Sequence, residues 1–245
     1  MASSGVTEAL LLPLMRGDAH RPRLTTYTGG FRTELSTASL ANWSAKVAGL
    51  LVDELGVGPG DLVYVGVGAG WQTAPILLGS WWAGLTVTDL DRPDAVAAFV
   101  ADGSPSAVGA ADEVFVVSGH PLGAPSQVVA DHQRDFTTAV LPQADRFAAR
   151  SAASPVAVRT ADGELSGAEL LEAARSAGLP PGARLASTLP WSMPSGLART
   201  LLAAFAVDGS LVHSDSVGAA LVDQAAAERA TLTAGFHAPG LPRLD

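Results

Sequence analysis

The chain of 245 residues carries 15 Lys and Arg against 24 Asp and Glu, which gives a formal net charge of −9 at pH 7. Hydrophobic residues make up 48% and charged residues 16%, so the chain can bury a sizeable core and wholesale disorder is excluded. The negative charge argues against nucleic acid and anionic lipid as partners, and the lack of cysteine excludes disulfides, thiolate metal sites and cysteine nucleophiles.

The first predicted element is an amphipathic helix near residues 5–16. It contains the apolar run Leu10–Met15, which is short, includes Pro13 and follows Glu8 with no basic residue before it. This run fits neither a signal peptide nor a membrane span. We therefore expect a cytoplasmic protein without membrane insertion.

Predicted strands and helices alternate through the rest of the first half. The continuous apolar strand Leu62–Val67 is typical of a parallel strand covered on both faces, and the helix after it is apolar nearly all round. This alternation favours an α/β fold. The elements predicted after the first helix are a strand at Arg23–Thr28, a helix at about 37–55, a strand at Leu62–Val67, a helix at about 71–83 and a strand at Leu85–Thr88.

The second half of the chain repeats the first. In each half a serine, Ser36 or Ser166, can cap a helix, and a glycine, Gly56 or Gly178, stands where the helix end needs a left-handed residue. Three matches in the same order indicate a duplication. The matched segments are Leu35–Leu40 with Leu165–Leu170 at an offset of 130, Gly56–Asp61 with Gly178–Ala183 at 122, and Ala83–Gly84 with Asp208–Gly209 at 125.

The duplication predicts an α/β architecture of two similar stacked lobes, each with a mostly parallel sheet covered by helices. We place the first lobe at residues 1–118 and the second, repeat-related lobe at 155–245. Residues 119–154 are rich in Pro, Gly, Ser and Ala and are interpreted as a connector with one or two short elements. The whole chain is expected to form a single compact unit.

A strand that runs into a glycine-rich turn is the sharpest local signal. Gly66, Gly68 and Gly70 precede a helix, and Asp89 and Asp91 follow the next strand. Such glycines let the backbone approach a nucleotide-type cofactor, and an acidic residue about 20 positions further on binds the ribose hydroxyls. The spacing is similar to the first motif of S-adenosylmethionine-dependent methyltransferases, whereas a tryptophan three positions after the second glycine argues against NAD. The alternative is a turn whose glycines are only structural.

Two other motifs carry a resemblance to a known family. Leu35–Leu40 matches a Leu-Ser/Thr-x-x-x-Leu pattern that opens a helix, and Gly56–Asp61 matches Gly-Val-x-Pro-Gly-Asp before a strand. With the Ala-Gly pair before the next strand, this pattern resembles the start of the ANL superfamily, the adenylate-forming enzymes that include acyl-CoA synthetases. The resemblance covers about residues 5–238 and implies that family's α/β fold. It is looser in the second half, at Leu165–Leu170, Leu189–Ser192 and Leu232–Gly235.

Residues that the chemistry of this family would need are changed. The family cradles ATP phosphates with a Ser-, Thr- and Gly-rich loop, but here Arg159–Glu164 is shorter, is acidic and predicts a hairpin turn. Gly167 and Met193 stand where the resemblance implies His. The sole lysine, Lys46, lies on a polar helix face. The resemblance therefore implies a truncated, degenerate member without the phosphate loop and the C-terminal domain, and a pseudoenzyme without adenylating activity of its own.

The remaining candidate site is the crevice between the two lobes. If the lobes pack as in the family, the crevice brings together Thr160, Pro190, Trp191 and Met193. This nearly uncharged surface suits a small apolar or acyl ligand, or a hydrophobic segment of a protein partner, better than a nucleotide. The alternative is that Trp191 and Met193 only fill the core. We expect no catalytic residue, cofactor or metal ion, since the five scattered histidines lack metal-ligand spacing.

One short polar run, His213-Ser214-Asp215, ends a predicted strand of the second half. Adjacent residues on a strand point to opposite faces, so these three side chains cannot form a catalytic relay among themselves. We expect a strand-to-helix turn in which Ser214 or Asp215 caps the next helix.

Overall fold

A computed structural model describes residues 5–90, 94–104, 111–148 and 155–244. Asp91 of the glycine-turn motif and residues 149–154 of the predicted connector lie outside these ranges. The helices are α1 (Val6–Arg16), α2 (Thr37–Gly49), α3 (Thr73–Trp82), α4 (Phe136–Val140), α5 (Gly167–Arg175), α6 (Ser195–Leu197), α7 (Ala203–Ala206) and α8 (Ala219–Ala227), with π-helical turns at Leu50–Glu54 and Ala198–Leu202.

The strands are distributed over the whole chain. They are β1 (Pro22–Thr28), β2 (Phe31–Ser36), β3 (Leu62–Gly66), β4 (Thr86–Thr88), β5 (Ala95–Ala101), β6 (Glu113–Val117), β7 (Arg134–Asp135), β8 (Val158–Thr160), β9 (Gly163–Leu165), β10 (Arg184–Ser187), β11 (Ser210–Ser214), β12 (Leu232–Ala234) and β13 (Arg243–Leu244).

These strands form two sheets. The first sheet has the order β13-β12-β10-β11-β1-β2, and the second has the order β7-β6-β5-β3-β4-β8-β9. The hairpins β1–β2 and β8–β9 are antiparallel, and the other strand pairs that the structure describes are parallel. The prediction of an α/β fold with two mostly parallel, helix-covered sheets is confirmed.

Each sheet is completed by a hairpin from the other half of the chain. The hairpin β1–β2 joins β11, where Tyr27 lies opposite Ser214, and the hairpin β8–β9 joins β4, where Thr88 lies opposite Arg159. Equivalent strands therefore occur in the same order, as β12-β10-β11-β1-β2 and as β5-β3-β4-β8-β9. Because neither half supplies a whole sheet, the ranges 1–118 and 155–245 describe the repeat in sequence, and their boundaries stay a prediction.

A layer of helices lies between the two sheets. Helix α1 contacts α2 and α3 from the first half and α5 and α7 from the second. Its buried residues belong to one hydrophobic cluster that also includes Val63 of β3 and Leu211 of β11. Both sheets thus turn one face towards a shared core. On the opposite face of the first sheet, Val212 of β11 packs with Ala225 of α8.

The backbone repeats the turns that the sequence matches predict. Ser36 and Ser166 each accept a hydrogen bond from the backbone N–H three residues further on, at 3.1 and 3.3 Å. Gly56 and Gly178 follow the helices with φ angles of +71° and +79°. Both glycines are needed there, because residues with a Cβ rarely adopt a left-handed backbone.

The third sequence match is shifted by one residue in the structure. Gly84 and Asp208 both have positive φ angles, +84° and +55°. In both copies the next residue donates its N–H to the carbonyl five positions earlier, at 3.0 and 2.8 Å. The equivalent residues are therefore Gly84 and Asp208, at an offset of 124, and the predicted offset of 125 is wrong.

Several elements differ from the prediction for local reasons. The predicted helix at about 37–55 widens into the π-helical turn Leu50–Glu54 before it ends. The strands β2, β5 and β6 were not predicted. The sequence of β5 contains four alanines in seven residues, and alanine is depleted in strands, so its pattern is weak.

The turn after β11 also departs from the prediction. Helix α8 begins at Ala219 and its N-cap is Gly218, so neither Ser214 nor Asp215 caps it. The Ser214 hydroxyl instead donates to the side-chain oxygen of Gln224 at 2.7 Å. This hydrogen bond connects the end of β11 to the second turn of the helix.

The closest approach of α2 and α3 predicts that Gly79→Ala destabilises the fold. A Cβ at Gly79 would lie 2.6 Å from Val47 Cβ and 2.7 Å from the Ser44 carbonyl oxygen. Overpacking of this kind costs about 1 to 3 kcal/mol, more than the helix propensity of alanine returns. Urea unfolding is the measurement. The control is Gly58→Ala, where a Cβ meets no described atom within 4 Å; equal losses in both variants would refute the packing argument.

Candidate functional site

A cavity of about 270 Å³ lies where the carboxyl ends of the two sheets meet. One wall is the segment between β3 and α3, and the opposite wall is the segment between β10 and α6. These two segments are equivalent in the repeat, because each leads from the same strand of its sheet into a helix of the central layer. The lining residues that the structure describes are Val65, Gly66, Val67, Gly68, Ala69, Thr73, Leu77, Asp89, Pro190, Trp191, Ser192 and Met193.

The cavity brings together residues that the sequence assigned to two separate hypotheses. From the cofactor hypothesis it contains Gly66, Gly68 and Asp89, and from the crevice hypothesis it contains Pro190, Trp191 and Met193. The two candidate sites are therefore one place in the fold. Whether either ligand class occupies this place stays a prediction.

Two of the predicted site residues lie elsewhere. Gly70 lines an adjoining cavity rather than this one. Thr160 belongs to the hairpin β8–β9, where its hydroxyl donates to the Gly163 carbonyl at 3.2 Å and accepts from the Asp162 N–H at 3.3 Å. The structure does not place Thr160 among the described residues of the cavity wall.

The backbone of the second wall is held against the first half of the chain. The Asp89 carboxylate, which follows β4, accepts a hydrogen bond from the Met193 N–H at 3.3 Å. At the start of the same segment, the Ser187 hydroxyl accepts from the Leu189 N–H at 3.0 Å. Asp89 thus fixes the segment that carries Trp191 and Met193.

The adjoining cavity has a volume of about 200 Å³ and shares Val67, Gly68, Ala69 and Thr73 with the first. Its other described lining residues are Thr28, Gly70, Trp71, Gln72, Val117 and Gly119. Trp71 is fixed on two sides, because its indole N–H donates to the His120 carbonyl at 3.1 Å and its ring meets Trp43 edge-on at 5.1 Å. The bulky residue after the glycine turn is therefore part of the core.

Sequence reasoning missed Gln72 and considered His213 only as the end of a strand, and both polar residues lie in this region. Gln72 is 2% exposed and lines the adjoining cavity, and neither atom of its amide group has a hydrogen-bond partner among the described residues. His213 meets Trp191 edge-on, with ring centroids 5.6 Å apart. Trp191 Nε1 and His213 Nδ1 are also buried without a described partner. The available signal was a polar residue beside an apolar helix or strand.

The environment of His213 keeps its imidazole neutral at pH 7. Burial lowers the pKa of His213 to about 4, and the nearby Asp215 carboxylate opposes this only in part. A neutral imidazole has one nitrogen that donates and one that accepts, so its hydrogen bonding depends on the tautomer.

We expect His213 to make the stability of the protein depend on pH below neutrality. Between about pH 4 and pH 6.5 the unfolded chain binds more protons at this residue than the folded chain, so the free energy of unfolding rises with pH in this window. From about pH 5 to pH 7 the rise is about 2 kcal/mol. Urea unfolding of the wild type and of His213→Gln at both pH values measures this difference. An equal pH dependence in the variant would contradict the assignment.

The segment Arg159–Glu164, which the resemblance predicts to replace a phosphate-binding loop, is a closed hairpin. Across β8–β9 the Arg159 guanidinium donates to the Glu164 carboxylate at 2.8 Å, and the two strands are paired from Val158–Leu165 to Thr160–Gly163. Lys46 is held at the predicted connector, where its ammonium group donates to the Leu141 carbonyl at 3.1 Å and pairs with the Asp145 carboxylate at 3.0 Å.

Within the described part of the chain, no group of three or more His, Asp or Glu side chains is placed to hold a metal ion. Likewise, none of the helices described is long and apolar enough to cross a membrane.

The chain was compared with known proteins. No protein-family model matches it. It is 38% identical over 214 residues to a "TIGR03089 family protein" of Mycobacterium tuberculosis (strain ATCC 25618 / H37Rv), a match that covers 84% of this chain and 87% of that protein.

Solved structures of acyl-CoA synthetases have the same fold. The Brucella canis acyl-CoA synthetase matches with a TM-score of 0.79 at 16% identity, over 94% of this chain and 47% of its own. A benzoate CoA ligase from Burkholderia xenovorans LB400 matches with a TM-score of 0.73 at 16% identity, over 98% of this chain and 53% of its own. The chain thus has the fold of the N-terminal part of ANL enzymes and spans about half the length of these structures.

Proposed function

The chain belongs to the TIGR03089 protein family, and from this premise and the fold it shares with acyl-CoA synthetases we propose that it is a ligand-binding relative of those enzymes. Its ligand is a small apolar or acyl-type molecule that enters the cavity between Gly66–Ala69 and Pro190–Met193. By itself the chain forms no acyl adenylate.

The composition of the cavity wall carries this proposal. Aliphatic side chains from β3 and α3 face the proline, indole and thioether of Pro190, Trp191 and Met193 across the cavity. Among the described lining residues, Asp89 has the single charged side chain. A concave, mostly apolar site with few polar groups is the usual form of a small-molecule site.

The contacts of Arg159 and Lys46 support the proposal that the chain by itself forms no acyl adenylate. Adenylation requires cationic groups or metal ions that neutralise charge on the phosphates in the transition state. In the segment Arg159–Glu164 the arginine pairs with Glu164, and the acidic side chains of the segment would repel a triphosphate. Lys46, the sole lysine of this sequence, is engaged by carbonyls and by Asp145.

Binding of a nucleotide-type cofactor such as S-adenosylmethionine or NAD is the second candidate. The placement of Gly66, Gly68 and Asp89 around one cavity favours it. However, the hydrogen bond from the Met193 N–H occupies part of the Asp89 carboxylate that would bind ribose hydroxyls. A hydrophobic segment of a protein partner remains the candidate if no small molecule binds.

Two assays on the same protein test the proposal. ATP–pyrophosphate exchange with a panel of carboxylic acids should give no signal, with an active benzoate CoA ligase as the positive control. In a thermal-shift screen a small apolar compound such as toluene should raise Tm, whereas ATP, AMP, S-adenosylmethionine, NAD and an acyl-CoA, which all carry a charged nucleoside or nucleotide, should not. Robust exchange would overturn the proposal that the chain forms no acyl adenylate. Stabilisation by S-adenosylmethionine would favour binding of a nucleotide-type cofactor.

A further inference from the structure

We propose that the ligand of this cavity is uncharged and carries a carbonyl or carboxamide group that hydrogen bonds to Gln72 and to the indole N–H of Trp191. This inference rests on the proposed function, because it names the class of molecule that the same cavity binds. It also separates this protein from ligases whose substrates are free carboxylates.

Gln72 is the first observation. Its amide offers one oxygen acceptor and an NH₂ donor, yet at 2% exposure both atoms are buried without a described partner. Buried polar groups in folded proteins are almost always paired, because an unpaired one loses its bonds to water and gains nothing. A residue that lines a cavity and offers both a donor and an acceptor fits a ligand that offers both in return, as a carboxamide does.

Trp191 and His213 are the second observation. The indole Nε1 of Trp191 can only donate, and it is buried without a described partner on a side chain that lines the first cavity. The His213 ring lies behind it at 5.6 Å, also with a buried unpartnered nitrogen, Nδ1. A carbonyl oxygen of the ligand is the acceptor that the indole N–H lacks.

The charge of the walls is the third observation. Among the described residues that line the two cavities, Asp89 is the one ionisable side chain, and it is a carboxylate. A carboxylate ligand would have to leave water without a described cation to pair with, and that is costly. The net charge of −9 adds a field that opposes anions. A neutral carboxamide of the same shape has no charge to desolvate and is not repelled by the negative charge of the protein.

The two cavities have four lining residues in common, Val67, Gly68, Ala69 and Thr73. In the proposed complex the apolar body of the ligand packs against Pro190 and Met193, and its polar end extends past the shared residues towards Gln72. The polar atoms of Gln72 and Trp191 are covered by the cavity wall, so binding includes a side-chain adjustment of the kind common at binding sites.

A matched set of three probes tests the inference on the intact chain near neutral pH. Benzamide, benzoate and toluene share the ring and differ only in the group attached to it. Dissociation constants from saturation-transfer NMR titrations should rank benzamide tightest, with toluene weaker and benzoate weakest. Benzoate binding as tightly as benzamide would overturn the inference.

Two variants assign the hydrogen bonds. Trp191→Phe, which removes one hydrogen bond, should weaken benzamide binding about fivefold to tenfold, and Gln72→Leu, which removes two, should weaken it further. Both variants should leave toluene binding nearly unchanged. Gln72→Leu should keep or raise Tm, since it removes two unpaired buried atoms. The control is Thr137→Val in α4, which removes another buried, unpartnered oxygen away from both cavities and should not change binding.

The outcomes separate this inference from the proposed function. If toluene binds and benzamide binds no more tightly than benzoate, the inference fails and the apolar site stands. If none of the three probes binds, both fail. A large loss of Tm in Gln72→Leu with benzamide affinity intact would assign Gln72 to the fold and overturn its role in binding.

Discussion

Trp191→Ala is expected to lower the free energy of unfolding by about 3 to 5 kcal/mol, the usual cost of truncating a buried aromatic residue. Trp191 is 7% exposed, packs within the cluster shared by both sheets and meets His213 edge-on. The truncation removes these contacts and enlarges the neighbouring cavity, and the surrounding backbone can collapse only partly. Urea unfolding near neutral pH is the measurement.

Trp82→Ala is the matched control for this prediction. Trp82 is half-buried and its ring meets Phe147 edge-on at 6.0 Å, so its truncation should cost clearly less. If Trp191→Ala costs no more than Trp82→Ala, Trp191 is not part of the core. Because Trp191 both fills the core and lines the cavity, alanine cannot separate the two roles, and Trp191→Phe is the variant for ligand binding.

Arg23→Ala is expected to cost about 3 kcal/mol, because it empties a buried site and leaves the Thr37 hydroxyl and the Gly209 carbonyl without their hydrogen-bond partner. Arg23 is 1% exposed at the start of β1. Its guanidinium donates to the Thr37 hydroxyl at 3.1 Å and to the Asp208 carboxylate at 3.0 Å, and it also donates to the Gly209 carbonyl. These bonds connect the exchanged hairpin β1–β2 to the turn that precedes β11.

The neighbouring Arg21 provides the control for Arg23. Arg21 pairs with the same Asp208 at 4.0 Å, but its side chain is 37% exposed, so Arg21→Ala should cost less than about 1 kcal/mol. Urea unfolding of Arg23→Ala and Arg21→Ala compares the loss of a buried arginine with the loss of an exposed one, where both arginines pair with Asp208. Equal costs would show that burial of Arg23 does not matter to stability.

The local parts of the fold could be predicted because their signals are local. Ser36 and Ser166 cap helices, and Gly56 and Gly178 end them, as the side chains and the left-handed backbone require. The duplication followed from those signals. Position 208 shows where such local signals fail. Asp208 occupies the turn that Gly84 occupies in the first half, so the sequence match was placed one residue too far along the chain.

The exchange of hairpins could not be predicted because it depends on distant pairing. The strand β1 pairs with β11, almost 190 residues further along the chain, and β8 pairs with β4 of the first half. The pattern within a strand states which faces are buried but not which neighbour it pairs with. A sequence with two similar halves is therefore compatible with separate lobes and with exchanged ones.

The residues of the candidate site could be predicted from the sequence, but not that they line a single cavity. Gly66, Gly68 and Asp89 follow strands of one sheet, and Pro190, Trp191 and Met193 follow a strand of the other, and ligands collect at such strand ends. Their meeting depends on how the two sheets pack. The unpaired states of Gln72 and His213 are visible only once their neighbours are known.

The central claim is that a small apolar ligand binds between the equivalent segments that follow β3 and β10. A protein-observed NMR titration with toluene tests it most directly, followed at the Met193 methyl group and the Trp191 indole N–H. The account predicts saturable shifts of both signals, with the methyl group of Leu122, which is 89% exposed, as the unaffected reference. Shifts confined to exposed residues, or no saturable shift at Met193 and Trp191, would contradict it.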